Sequence, residues 1–109
     1  MSEAKRICYK AGYKYQLVEL YIAPTGICAS SNLAAVTKWV WLGEDGSLSI
    51  QAGYAWDGPS GPTQDSPGLM RASLVHDALY QLMRLGLLDK VNREAADKLY
   101  QRLCLEDGI

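Results

Sequence analysis

Apolar and polar residues alternate along the first half of the chain, and the period then changes. From Tyr13 to Ile22, rings and aliphatics recur at every second position, as in a strand with one buried face, until Pro24 ends the run. Ile27 to Asn32 is small and polar and reads as a loop. Val36 to Leu42 alternates again, with Thr37, Trp39 and Trp41 on one face and Lys38, Val40 and Leu42 on the other. Gly43-Glu44-Asp45-Gly46 is a turn signal, and Leu48, Ile50, Ala52 and Tyr54 alternate on the return, which predicts a β-hairpin.

Past Gly53 the pattern breaks. Trp56 to Pro67 holds three of the four prolines, a density that neither helix nor strand survives. Ser66 suits an N-cap, with Pro67 at the first helical position. The helix then runs to about Arg84, and Gly86 is a natural stop. Its core stripe is Ala72, Val75, Ala78, Leu79 and Leu82. His76 and Tyr80, four apart, share one shoulder, while Asp77 falls on a more polar side with Ser73 and Arg84.

A second helix starts with Asn92 as N-cap and Glu94 in its first turn, where the helix dipole favours an anion. Ala95, Ala96, Leu99 and Leu103 form its stripe, and Asp97 sits on a shoulder with Arg93, Tyr100 and Cys104. The short connection Leu85 to Val91 calls for antiparallel packing, which brings Asp97 within reach of His76. The expected fold is α+β in one domain, residues 1–109. An N-terminal antiparallel β-sheet (about 1–55) packs with two antiparallel C-terminal helices (about 68–106), and residues 56–67 form the loop between them.

Composition narrows the function. At 109 residues and 49% apolar content the chain can bury a core without staples. A net charge of −1 and the lack of a basic stripe argue against nucleic acid as a partner. No apolar run is long enough for a transmembrane segment, and Met-Ser-Glu-Ala-Lys-Arg lacks the apolar core of a signal peptide, so synthesis in a cytoplasm is expected. Cys8, Cys28 and Cys104 are odd in number with no close pair, which fits small packing residues rather than disulfides or zinc. A single histidine rules out the multi-histidine phosphohydrolases and zinc hydrolases, and no Gly-x-Ser-x-Gly elbow is present for a serine hydrolase.

What remains is His76. A histidine whose far ring nitrogen is held by a carboxylate is fixed in tautomer and can act as a general base near neutral pH. His76 with Asp97 fits that role. Asp77 points elsewhere and can bind a hard cation, provided backbone carbonyls from the Trp56 to Gly61 loop help reach the roughly 6–8 oxygens that calcium needs. A base and a carbonyl-polarising metal together permit ester hydrolysis by water. The structural alternative stays open: Asp97 pairing with Arg93 or Lys98, Asp57 or Ser60 capping a rigid crossover, and Arg71 closing the loop on Asp65.

Taken together, Trp56-Asp57-Gly58-Pro59-Ser60, His76-Asp77-Ala78-Leu79-Tyr80 and Ala96-Asp97 resemble the calcium loop, His-Asp-x-x-Tyr helix and second-helix aspartate of the phospholipases A2, in the short forms found in parvovirus capsid proteins and bacterial enzymes. The chain also resembles, over more of its length, a phage-encoded family of unknown function with an Asp-Gly-x-Ser-x-Pro type loop, a His-Asp-x-Leu-Tyr helix and an Arg-x-x-Ala-Asp-like helix. The phospholipase likeness implies His76 as the base, Tyr80 and Asp97 as its hydrogen-bonded support, and Asp77 with the carbonyls of Trp56, Gly58 and Ser60 as calcium ligands. The loop departs from the family pattern at Ser60, where a glycine is usual, and at Asp57. The resemblances imply a calcium-dependent lipid ester hydrolase of phage origin with a phospholipid or membrane surface as partner. Their alternative is a non-catalytic virion, tail-associated or assembly protein that contacts other phage structural proteins.

Overall fold

The computed structural model describes residues 7–12, 14–28, 35–58 and 67–108. Their strands form two antiparallel sheets. β1 (Tyr9–Lys10), β2 (Tyr15–Leu17) and β7 (Ala55–Trp56) make a three-stranded sheet in the order β1-β2-β7. The four-stranded sheet runs β3-β6-β5-β4, from β3 (Tyr21–Pro24), β6 (Ser47–Ile50), β5 (Val40–Leu42) and β4 (Ala35–Val36). Two helices follow, α1 (Pro67–Arg84) and α2 (Arg93–Glu106), so the architecture is α+β as expected.

The expected hairpin is β5 and β6, with Leu42 opposite Leu48 and Val40 opposite Ile50. All four side chains are buried, while Trp41 is exposed, so period-two patterning assigned the faces correctly. In the turn, the Asp45 carboxylate accepts the Ser47 N–H at 2.9 Å, and Gly46 takes φ 87°, a left-handed conformation that glycine alone adopts freely. The return strand ends at Ile50 rather than Tyr54.

The run from Tyr13 to Ile22 is not one strand. It bends after Leu17, and its two parts enter different sheets. Leu17 and Tyr21 are both buried on the same parity, although the alternation lapses between them, where Val18, Glu19 and Leu20 are all exposed. Pro24 lies inside β3 opposite Ser47, tolerable because β3 is an edge strand. Ile27, expected in a polar loop, is buried. The Thr25 hydroxyl holds that corner, donating to the Gly46 carbonyl at 2.7 Å and accepting the Ile27 N–H at 3.0 Å.

Trp56 belongs to β7, opposite Tyr15, and not to the loop. Residues 59–66 of that loop, with Ser60, Asp65 and the Ser66 cap, lie outside the described residues. The stripe Ala72, Val75, Ala78, Leu79 and Leu82 is buried as expected, and Met70, Leu74 and Met83 are buried as well. Burying a side chain such as Leu79 contributes roughly 1.5–3 kcal/mol. The helix ends at Gly86, φ 76°, whose N–H returns to the Met83 carbonyl.

Arg71 reaches Glu106 and Asp107, while His76 reaches Asp97, so the helices run antiparallel. The α2 stripe is Ala96, Leu99, Leu103 and Cys104, and Ala95 is exposed instead of buried. Asn92 makes no side-chain cap bond. Its place is taken by Asp89, which caps one turn of 3-10 helix (Lys90–Asn92) by accepting the Val91 N–H at 2.9 Å. Cys104 is buried, Cys8 partly so and Cys28 exposed, so packing accounts best for the first.

Candidate functional site

Burial nearly encircles α1. Its half-open positions between Ser73 and Arg84 are His76, Asp77, Tyr80 and Gln81, spaced so that they form one strip. A cavity of about 390 Å³ opens beside that strip, lined by Gly58, Ser73, His76, Asp77, Asp97 and Tyr100, with Gln101 at its edge.

His76 Nε2 lies 2.7 Å from Asp97 Oδ1, and the Tyr80 hydroxyl donates to the same oxygen at 2.8 Å. The bonds from His76 and then Tyr80 hold the Asp97 carboxyl below its usual pKa, so it is ionised and accepts from both. Nε2 therefore carries the hydrogen, and Nδ1 is the nitrogen left to accept a proton. Among the described residues Nδ1 makes no hydrogen bond. The imidazole stacks on Tyr80 at 4.3 Å between centroids and meets Tyr100 edge-on at 5.3 Å, so its plane is held on two sides. The bond to Asp97 raises the Tyr80 pKa, and burial raises that of Tyr100, so both stay neutral.

Asp77 takes no part in this hydrogen-bonded group. It lines the first cavity and also a polar one of about 210 Å³ with Lys14, Tyr54, Asp57, Gln81 and Arg84. No described residue gives it a hydrogen bond or ion pair. Burial, the dominant cause, raises its pKa; Asp57 adds to the rise, and His76, Arg84 and Lys14 oppose it. Burial and then the Asp77 charge push the Tyr54 hydroxyl up to about 12. Gln81 Oε1, one turn after Asp77, is buried without a partner among the described residues.

The loop before α1 is anchored by rings. The Trp56 indole donates to Ser73 Oγ at 3.0 Å, and Ser73 donates to the Met70 carbonyl at 2.9 Å, tying β7 to α1 one turn before His76. Ser73 is therefore buried and not on a solvated side. Gly58 has φ 85°, and a Cβ there would stand 2.5 Å from the Tyr15 ring. Asp57 pairs with Lys14 at 3.1 Å across an exposed surface.

Of the residues expected in the site, His76, Tyr80 and Asp97 are joined by hydrogen bonds, and Asp77 and Gly58 share their cavity. Trp56 lines the neighbouring one. Ser60 lies outside the described residues. Gln81 and Gln101 went unnoticed in the sequence, although each stands four residues after an expected one on the same helix, and Ser73 was placed only on a polar side. Burial pushes the Cys104 thiol up, the wrong direction for a nucleophile. Comparison with protein-family models, curated proteins and solved structures finds no match.

Proposed function

We propose that His76 is the general base of a calcium-dependent, phospholipase A2-like hydrolase of phage origin acting on a lipid ester. The observation that carries the reading is the hydrogen-bonded series His76–Asp97–Tyr80, which leaves Nδ1 unbonded among the described residues on a histidine that lines the same cavity as Asp77. In this scheme Nδ1 takes a proton from water as the water attacks the ester carbonyl, and later returns it to the departing alkoxide. Asp97 stabilises the imidazolium, and Tyr80 keeps Asp97 in place.

Asp77 has the chemistry of a hard-cation ligand: a half-buried carboxylate, unpartnered among the described residues, in which burial disfavours the bare charge. With the carbonyls of Trp56, Gly58 and Ser60 it would hold calcium, which when bound polarises the ester carbonyl. The second reading is a structural module of a virion or tail. It draws on Tyr80 and His76 both grasping one oxygen of Asp97, which also pins α1 to α2.

Ester release from mixed phospholipid vesicles, with calcium and with chelator, separates the two. Wild type should release fatty acid only with calcium, and His76→Ala should be roughly 10²–10⁴-fold slower. If purified wild type releases none with calcium, the enzymatic reading is lost and the structural one stands.

A further inference from the structure

Away from the cavity, the turn joining the two helices combines two properties rarely left on a surface without use. Leu85, Leu87 and Val91 are 56%, 41% and 79% exposed, while Leu88 between them is buried and anchors the turn. The backbone there is well held: the Leu87 and Leu88 N–H groups both return to the Leu82 carbonyl, and Asp89 caps the 3-10 turn. The three aliphatics are thus presented on an ordered knob.

Along the chain, that knob is flanked by positive charge. From Arg84 to Arg93 the chain carries Arg84, Lys90 and Arg93 against Asp89 alone, in a protein whose net charge is −1. Among the described residues none of these three cations is in an ion pair. The next acid in sequence, Glu94, is engaged by Lys98 at 3.2 Å, while Arg84 acts on Asp77 and Arg93 on Asp97 without direct ion pairs. Exposed aliphatics beside free cations match a bilayer surface with anionic headgroups: the aliphatics enter the acyl boundary while each nearby Lys or Arg is drawn to a negative leaflet. Three side chains fall well short of the roughly 800 Å² per partner that a specific protein interface buries, which disfavours a second copy of this chain.

We infer that the α1–α2 turn, through Leu85, Leu87 and Val91 and the cations Arg84, Lys90 and Arg93, is the surface by which this protein docks on an anionic lipid bilayer. The choice of a lipid surface rests on the reading of the His76 site as acting on a lipid ester. At 1.5 Å per residue, His76 stands about 12 Å along α1 from Arg84. Docking at the turn would hold His76 about two helical turns from the headgroups.

Co-sedimentation of the full-length His76→Ala protein, with chelator present so that lipid is not consumed, tests the surface directly. Vesicles of phosphatidylcholine alone are compared with vesicles also containing phosphatidylglycerol. Binding should be at least about tenfold stronger to the anionic vesicles and should weaken as salt is raised. Adding Leu85→Ser and Val91→Ser should weaken it a further tenfold or so without moving the thermal midpoint, because both side chains are exposed. Equal binding with and without those two substitutions overturns the inference. So does absence of binding to either vesicle, or self-association in sedimentation velocity that the two substitutions abolish. Hydrolysis of a monomeric soluble ester by wild type, without vesicle binding, would discard this surface and leave the His76 site standing. Vesicle binding without ester release would do the reverse.

Discussion

Arg71 and His76 stand five residues apart on α1, and each reaches a carboxylate on α2, yet the two contacts are built in opposite ways. The Arg71 side chain is 4% exposed and fully engaged: it meets Asp107 at 3.0 Å and 3.1 Å, Glu106 at 2.9 Å and the Tyr21 hydroxyl at 3.2 Å. Burial pulls its pKa down, but the bonds to Asp107, Tyr21 and Glu106 outweigh it and keep the guanidinium charged. His76 and Asp97 are 26% and 56% exposed, and the histidine keeps one nitrogen unbonded. A saturated, buried charge network joins β3, α1 and the end of α2. An open and incompletely bonded one faces a cavity. The first has nothing left to offer a ligand, while the second keeps a proton acceptor and a nearby carboxylate, Asp77, in reserve.

The contrast predicts the largest stability effect at Arg71. Glu106 and Asp107 sit at the C-terminal end of α2, where the helix dipole disfavours anions; Arg71 compensates both, and Arg102 adds a longer contact to Glu106 at 3.6 Å. Arg71→Met should cost roughly 1.5–3 kcal/mol in chemical denaturation, because it leaves the largely covered Asp107 and the buried Tyr21 hydroxyl without the guanidinium, while the more exposed Glu106 keeps Arg102. His76→Ala, removing one contact of a half-exposed pair, should cost about 1 kcal/mol or less. Equal losses from the two would erase the distinction between clasp and site.

Much of this was readable from spacing. The α1 stripe, its end near Arg84, the hairpin faces and the approach of Asp97 to His76 all follow from periods of 3.6 and 2 and from a short helix connection. The Arg71 clasp did not emerge, and Asp65, its expected partner, lies outside the described residues. Yet antiparallel register carries the information: if residue 76 meets 97, residue 71 lies near 102, and an arginine spans the remaining turn to Glu106. The split between β2 and β3 was hidden because Leu17 and Tyr21 keep one parity through the bend. Trp56 was lost among the prolines that follow it, since breaker density says nothing about an indole bonded to a serine 17 residues away. Ala95 was misassigned because α2 has a narrow buried stripe that its neighbour Ala96 already occupies.

A smaller effect with the opposite sign is expected at Asp77. Its pKa in the folded protein is raised, chiefly by burial, so the ionised carboxylate opposes folding. That penalty is absent below the unfolded value of about 3.9 and sets in as pH rises through the folded value. Asp77→Asn should therefore raise the melting midpoint near neutral pH by a few degrees, with the gain vanishing in acid. If Asp77 is the cation ligand, the variant should also lose any upward shift that calcium gives wild type. A lower midpoint in the variant at neutral pH would mean that Asp77 has a structural partner.

The smallest effect belongs to Asp97, and its pH dependence runs the other way. His76 and then Tyr80 lower its folded pKa, so its charge favours folding. The contribution is fully present above about 3.9, the unfolded value, and is lost as pH falls through the lowered folded value. Asp97→Asn keeps an oxygen that can accept a hydrogen bond but removes the charge, and more than half of this side chain faces water. Its melting midpoint should fall only slightly below wild type near neutrality, and the two should converge in acid. A gap that persists at low pH would show that packing rather than charge is lost, placing Asp97 with the Arg71 clasp instead of with the open site.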